Sequence, residues 1–357
     1  MRSETTARIP ASRRTITRSG RRRRLRLATA VVVWSMVGVP ASAGAAVGAQ
    51  SAAAAADPAA ESGSLRALTY NVAGLPELLS SATTERAAST TAIGARLGPY
   101  DLVNVQEDFN YHSYLDAAAG HPYRTPTSGG AGFGSGLNTL SGFPLEGPER
   151  ASWERCWIGS GDCLTPKRFT FNRIRPADGV SIDVYNLHAD AGSEPRDLTA
   201  RAANLDQLSR FIAARSVGQA VIVMGDTNSR YTRVGDAIAE FAAADGLRDP
   251  WVELVRGGDR PATGEPAILC DEAAPTDDCE VVDKVLYRSG DRVDLEATGY
   301  RNEHTAFATE DGTPLSDHFP IGVDFAWSCA GACASGHELA PIGSDAVGSA
   351  ARGGSVG

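Results

Sequence analysis

The chain has 357 residues, 42% of them hydrophobic, with 38 glycines and a formal charge of −9. That is enough to bury one sizeable core and too polar for life within a membrane. The charge is unevenly held, because ten arginines against the single acid Glu4 in residues 1–43 leave the rest at about −18. An acidic body lacks the positive field of sequence-blind nucleic-acid binding, which excludes a histone-like or repressor-like role. It suits recruitment of divalent cations.

The N-terminus reads as an export leader: a basic stretch through Arg21–Arg24, an apolar run over 27–39, then the small-x-small pattern Ala41-Ser42-Ala43. The run is shorter than the roughly 20 residues a spanning helix needs. Ser12-Arg13-Arg14 also fits part of a twin-arginine pattern, so the export route stays open. The expected organisation is a leader over 1–43, a flexible alanine-rich spacer over 44–63, a catalytic domain over 64–327 and a flexible tail over 328–357. Six cysteines fall into three local pairs, Cys156/Cys163, Cys270/Cys279 and Cys329/Cys333, which agrees with export and three local disulfides. None of these pairs has the C-x-x-C spacing of a zinc site.

Along the rest of the chain, short runs rich in Val, Ile, Leu and Tyr predict strands over 65–72, 101–105, 181–187, 220–224 and 281–287, with a further apolar run over 319–325. Between the third and fourth strands, Leu198, Leu205, Leu208 and Ile212 recur at helical spacing, with Asp197 as the expected cap and Arg210 and Arg215 at the C-terminal end. Strand and helix alternating in this way imply a layered α/β or α+β domain. The glycine-rich piece 128–142 lacks the lysine or acid that would make it a phosphate cradle, and reads as a loop leading into a strand.

Chemistry gathers where the strands end. Asn71, Glu107, His188, Asp226 and Asn228 each close a predicted strand, and Asp317-His318 precede the last apolar run. Strand ends converge on one sheet edge, so these residues can share a pocket. The set has no serine-histidine-acid order; it offers carboxylates, amides and two histidines. Oxygen ligands of this kind suit Mg²⁺, and phosphoryl transfer to water is the reaction class that follows.

Seven motifs stand in order: LTYNVAGLP (68–76), VNVQED (103–108), GSGLNTLSGFP (134–144), YNLHAD (185–190), VMGDTNS (223–229), VVDKVLYR (281–288) and LSDHFPI (315–321). Together they resemble the endonuclease/exonuclease/phosphatase superfamily over 65–325, with the strongest likeness to secreted bacterial sphingomyelinases. The resemblance implies a four-layer sandwich, two packed β-sheets flanked by helices, with a Mg²⁺ pocket at one end. It implies Glu107 as the principal Mg²⁺ ligand, with Asn71 completing or supporting that shell. It implies His318 as the general base, with Asp283 holding its tautomer, Asp226 orienting the attacking water and Asn228 bonding a phosphoryl oxygen. His188 would donate to the phosphate, Asp317 would bind a second cation or fix the histidines, and Lys167 would meet the phosphate.

The expected activity is that of a secreted Mg²⁺-dependent phosphodiesterase, a sphingomyelinase-like phospholipase C acting as a monomer with transient membrane contact. A lipid headgroup is favoured over nucleic acid because the acidic body repels a polyanion. An extracellular endonuclease of the same fold, or a binding protein without turnover, are the alternatives. Trp153, Trp157 and Trp251 are candidate surfaces for a choline headgroup, and the segment 256–279, where a membrane-dipping hairpin would be sought, carries no aromatic residue.

Overall fold

The computed structural model describes residues 62–271, 274–331 and 333; the expected leader, most of the spacer and most of the tail lie outside them. Among the described residues, eleven strands form two mixed sheets. The first has the order β10 (Val293–Asn302), β11 (Ile321–Cys329), β1 (Ser62–Asn71), β2 (Leu102–Gln106), β4 (Asn138–Ser141), β3 (Tyr123–Arg124). The second runs β5 (Leu145–Ser152), β6 (Arg168–Ala177), β7 (Val180–His188), β8 (Ala220–Asp226), β9 (Asp283–Arg288). Among the described residues the first strand starts at Ser62 and the last reaches Cys329.

Period-two alternation assigns each strand two buried faces. On one face Leu65, Ala67, Ile182, Val184, Ile222, Met224, Leu295 and Phe325 fill the space between the sheets. On the outer face of the first sheet, Leu68, Tyr70, Val103 and Val105 pack on Ile93, Leu97 and Leu115, from or next to helices α1 (Arg86–Arg96) and α2 (His112–Ala118). On the outer face of the second, Tyr185, Leu187, Val221 and Val223 pack on α3 (Pro195–Arg215) and α4 (Ile238–Ala244). The result is a four-layer helix–sheet–sheet–helix sandwich. Strands buried on both faces read as unbroken apolar runs, which is why these were legible.

The helix over 195–215 begins earlier than its apolar spacing suggests. Glu194 is the N-cap, and Asp197 is its partner in a capping box, with Pro195 as first helical residue. Leu198 is only half-buried, while Arg201 and Asn204 join Leu205, Leu208 and Ile212 on the inward face.

Buried amides cross between the sheets. Asn104 Nδ2 donates to the carbonyls of Tyr185 (3.1 Å) and Met224 (3.3 Å), Gln106 Nε2 donates to Asn186 Oδ1 (2.8 Å), and Asn186 Nδ2 donates to the Val105 carbonyl (3.0 Å). Such a satisfied network fixes the offset between the sheets, since sliding would strand several buried donors at ~1 to 3 kcal/mol each. It lies directly beneath the strand ends that carry the motifs. All three local disulfides form: Cys156–Cys163, Cys270–Cys279 and Cys329–Cys333.

Candidate active site

Topology brings the strand ends together. The parallel pairs β1/β2 and β7/β8 deliver Asn71 with Gln106-Glu107, and His188 level with Asp226. Antiparallel β9 starts at Asp283, opposite Asp226, and antiparallel β11 is preceded by Asp317-His318. Ser316, which sequence reasoning passed over, ties that last segment down: its hydroxyl donates to the Asn71 carbonyl at 2.6 Å.

Asp226 is the hub. Its Oδ2 accepts from Asn71 Nδ2 (3.2 Å), lies 3.2 Å from His188 Nε2 and 3.7 Å from His318 Nε2, while Oδ1 accepts the Asn228 N–H at 3.0 Å. On its other side His318 Nδ1 meets Asp283 Oδ2 at 2.9 Å. Asp226 and Asp283 are almost wholly buried, whereas the His318 side chain is 21% exposed and is the member that reaches solvent. Asn71 Nδ2 also donates to Glu107 Oε1 at 3.2 Å, so one line of contacts runs Asp283–His318–Asp226–Asn71–Glu107.

Electrostatics along this line are divided. Burial would raise the Asp226 carboxyl, but the neighbouring His188 and His318 override it and hold it well below the usual carboxylate range. Burial dominates at Asp283 and raises it, against the pull of His318. At His318 burial disfavours the cation, yet Asp283 and Asp226 outweigh it and push the imidazole well above its ordinary value.

The backbone is strained here. Among the described residues, Ala73, Glu107 and Asn228 are the non-glycine residues with positive φ, at 50°, 55° and 50°, and such conformations cost about 1–3 kcal/mol each and gather at functional sites. Gly74 allows the loop after Asn71 to lie against the Glu107 backbone: its N–H donates to the Glu107 carbonyl at 3.0 Å, and a Cβ there would stand 2.2 Å from that oxygen. Arg86, fully buried and absent from the sequence reading, braces the same loops by donating to the carbonyls of Val72 and Leu315.

The donor set fits a hard cation. Glu107 is half-buried and has no ion pair among the described residues, and its Oε1 sits beside an amide. Asn71 turns its Oδ1 to the Ala73 N–H at 3.1 Å, so in this arrangement it supports Glu107 with its nitrogen. Asp226, Asp283 and His318 also present ligand atoms within 4.8 Å of one another, but Asp283 Oδ2 is already engaged by His318 Nδ1 at 2.9 Å.

The remaining expected site residues are spoken for differently. Lys167 pairs with Asp162, inside the Cys156–Cys163 loop, and donates to the Ala189 carbonyl at 3.3 Å. Asn228 Nδ2 donates to that same carbonyl at 3.1 Å. Asp317 is exposed, and its carboxylate accepts a 3.4 Å contact from Ser316 rather than a bond from either histidine. The tryptophans are occupied: Trp153 Nε1 donates to the His188 carbonyl at 2.7 Å, Arg196 covers Trp157 at 4.5 Å, and buried Trp251 stacks on Tyr231.

Residues 71–260 match the Endonuclease/Exonuclease/phosphatase family 2, and the chain belongs to the endonuclease/exonuclease/phosphatase family. It is 42% identical over 271 residues to proteins named sphingomyelinase in Mycobacterium tuberculosis and Mycobacterium bovis, a match covering 74% of this chain and 53% of theirs. The chain therefore spans about half the length of the curated relatives it matches. Solved structures share the fold at low identity. They include SmcL (15% identity, TM-score 0.51, 74% of this chain and 99% of that one) and humanized Danio rerio TDP2 (17%, 0.51, 73% and 98%).

Proposed function

We propose that the chain is a divalent-metal-dependent phosphodiesterase, and specifically a sphingomyelinase-like phospholipase C. The observation that carries this reading is the continuous line of contacts from Asp283 through His318 and Asp226 to Asn71 and Glu107. On this reading a base, its orienting acid and a hard-cation ligand lie along one chain of contacts. The mycobacterial sphingomyelinases support the lipid substrate, and a beta toxin from Staphylococcus aureus of the same fold (TM-score 0.50) that was solved with bound magnesium ions supports the metal. The acidic body disfavours a polyanionic substrate. Leu78 and Leu79, 94% and 66% exposed in the loop after Asn71, offer an apolar tip for transient contact with a lipid surface. Three disulfides support export, with residues 1–43 as the leader.

Glu107, supported by Asn71, would hold Mg²⁺, which supplies Lewis-acid stabilisation of charge on the phosphoryl oxygens. With Nδ1–H directed at Asp283, His318 presents its Nε2 lone pair to water. His318 takes the water proton as the water oxygen bonds to phosphorus; the bond from phosphorus to the leaving oxygen breaks, and that oxygen takes up a proton from solvent water to leave as the alcohol while His318 returns its proton to solvent. Asp226, 3.7 Å from Nε2, stabilises the imidazolium that forms. His188 and Asn228 would donate to phosphoryl oxygens by exchanging their present partners, Asp226 and the Ala189 carbonyl. The test offers the purified chain with Mg²⁺ a choline-phosphodiester lipid, plasmid DNA and a soluble phosphomonoester side by side. Chelator-sensitive turnover of the lipid is expected; turnover of DNA alone, or full activity in chelator, overturns the reading.

A further inference from the structure

Asp108, next in sequence to Glu107, is buried and takes part in none of the contacts described above. Its Oδ2 accepts from Asn138 Nδ2 at 2.7 Å and meets His112 Nδ1 at 2.6 Å, a nitrogen that carries its proton when it faces a carboxylate. Asn138 opens β4, and its carbonyl accepts from Asn186 Nδ2 at 3.1 Å, so it belongs to the amides that cross between the sheets. His112 is the first residue of α2, and Leu115, one turn on, is buried on the outer face of the first sheet. The Asp108 carboxylate therefore joins a fixed strand to an anchored helix, directly behind Glu107. Glu107 has to be held, because its φ of 55° is a conformation that persists only where its surroundings impose it. Main-chain bonds supply part of that: the Glu107 carbonyl accepts from the Gly74 and Phe109 N–H groups at 3.0 and 2.8 Å, and the Asp108 N–H donates to the Gly136 carbonyl at 2.9 Å. The Asp108 side chain adds charge-assisted bonds to two further elements.

We infer that Asp108 and His112 form a positioning pair for Glu107, holding its carboxylate where it can ligate a divalent cation. The inference rests on the reading of Glu107 as the metal ligand and adds to it the groups that set metal affinity. Partners that orient a ligand without touching the metal typically account for about 10- to 100-fold in affinity. The sign of the His112 effect separates positioning from charge. The hydrogen bond to Asp108 raises the His112 imidazole above its ordinary value, so it carries more positive charge than a free imidazole. Deleting that charge would by Coulomb's law alone tighten the binding of a cation at Glu107. Loss of positioning weakens it.

The test is calorimetry of Mg²⁺ binding to the ion-free full chain and its variants, with the Mg²⁺ concentration for half-maximal turnover of a choline-phosphodiester lipid as a parallel readout. Asp108→Ala and His112→Ala are each expected to weaken Mg²⁺ binding about tenfold or more. His112→Asn, whose amide N–H can stand where Nδ1–H stood, is expected to remain within about threefold of wild type. The His112 side chain is 22% exposed, so its truncation yields folded protein even where Asp108→Ala does not. An affinity of His112→Ala within about twofold of wild type, or tighter than wild type, overturns the inference. So does His112→Asn binding no better than His112→Ala. If the wild type itself binds no Mg²⁺, the metal reading of Glu107 fails and amide hydrogen exchange decides the positioning. The Gly74 and Phe109 N–H groups, both on the Glu107 carbonyl, should then exchange about tenfold faster in His112→Ala than in wild type, while the Val223 N–H within β8 exchanges alike in both. Equal rates at Gly74 and Phe109 overturn the inference.

Discussion

Replacing Asp283 by asparagine removes one negative charge from beside His318 while hardly altering shape. The carboxylate oxygen lies 2.9 Å from His318 Nδ1, on a residue 2% exposed. Two unit charges about 4 Å apart at an effective dielectric of 20 interact by roughly 4 kcal/mol, and 1.36 kcal/mol corresponds to one pKa unit. Loss of Asp283 should therefore lower the His318 value, because burial, which opposes the cation, is then countered by Asp226 without the larger contribution of Asp283. Catalysis needs the neutral imidazole, so the ascending limb of the pH–rate profile moves to lower pH. The plateau nevertheless falls by ~10² to 10⁴, since an amide can hold the wrong tautomer. For stability the sign is separate: a raised imidazole contributes stability that is complete below its unfolded value and fades as pH rises through the folded one. That contribution shrinks in the variant, while the cost of burying the Asp283 carboxylate disappears, so the two changes oppose each other. The assay is an NMR titration of the His318 ring in ion-free protein, run beside the pH–rate profile with Mg²⁺. An imidazole that titrates at the same pH in both proteins would refute the pairing, and an undiminished plateau would refute the base assignment.

Glu107→Gln should abolish most turnover and weaken Mg²⁺ binding measured by calorimetry, with the circular dichroism spectrum unchanged; full activity would remove Glu107 from the metal site. His318→Ala should cost ~10² to 10⁴ in turnover with Mg²⁺ binding kept, whereas retention of more than about a tenth of turnover would place the base elsewhere. Gly74→Ala sets a Cβ against the Glu107 carbonyl, and denaturant melts should show a loss of about 1–3 kcal/mol together with reduced activity. Arg86→Met strands the Val72 and Leu315 carbonyls, for which about 3 kcal/mol or more is expected. A melt within about 0.5 kcal/mol of wild type would show that the brace carries no load.

Legibility followed burial. β1, β2, β7, β8, β9 and β11 are covered on both faces, so their sequences announce them. β5 and β10 are sheet edges, and Leu145–Ser152 carries two glutamates, an arginine and a proline, which hide a strand in a sequence that reads as loop. Asn71, Glu107, Asp226 and His318 were readable because each stands beside a strand end, and strand ends share an edge. Ser316, Arg86 and the inter-sheet amides were not, because their partners lie 14 to 245 residues away and nothing local marks them. Lys167 and Asp317 were readable as charges but not in their surroundings: the lysine is neutralised by Asp162, and the aspartate faces a cavity wall. Asp197 looked like a cap because its composition suits one, yet the residue three positions earlier fills that place and Asp197 answers it.

The position of β11 has a consequence for the order in which the chain acquires chemistry. This last described strand lies inside its sheet, between β10 and the first strand, β1. His318 stands just ahead of it, while Asn71, Glu107, His188, Asp226 and Asp283 have all been synthesised before it. A nascent chain halted at Asp317 holds every carboxylate and amide of the site but no base, and β1 still lacks one neighbour. Ribosomal synthesis is vectorial, so competence arrives abruptly, with the insertion of β11, and a protease that removes the chain from His318 onward inactivates the molecule while leaving Glu107, Asp226 and Asp283 in place.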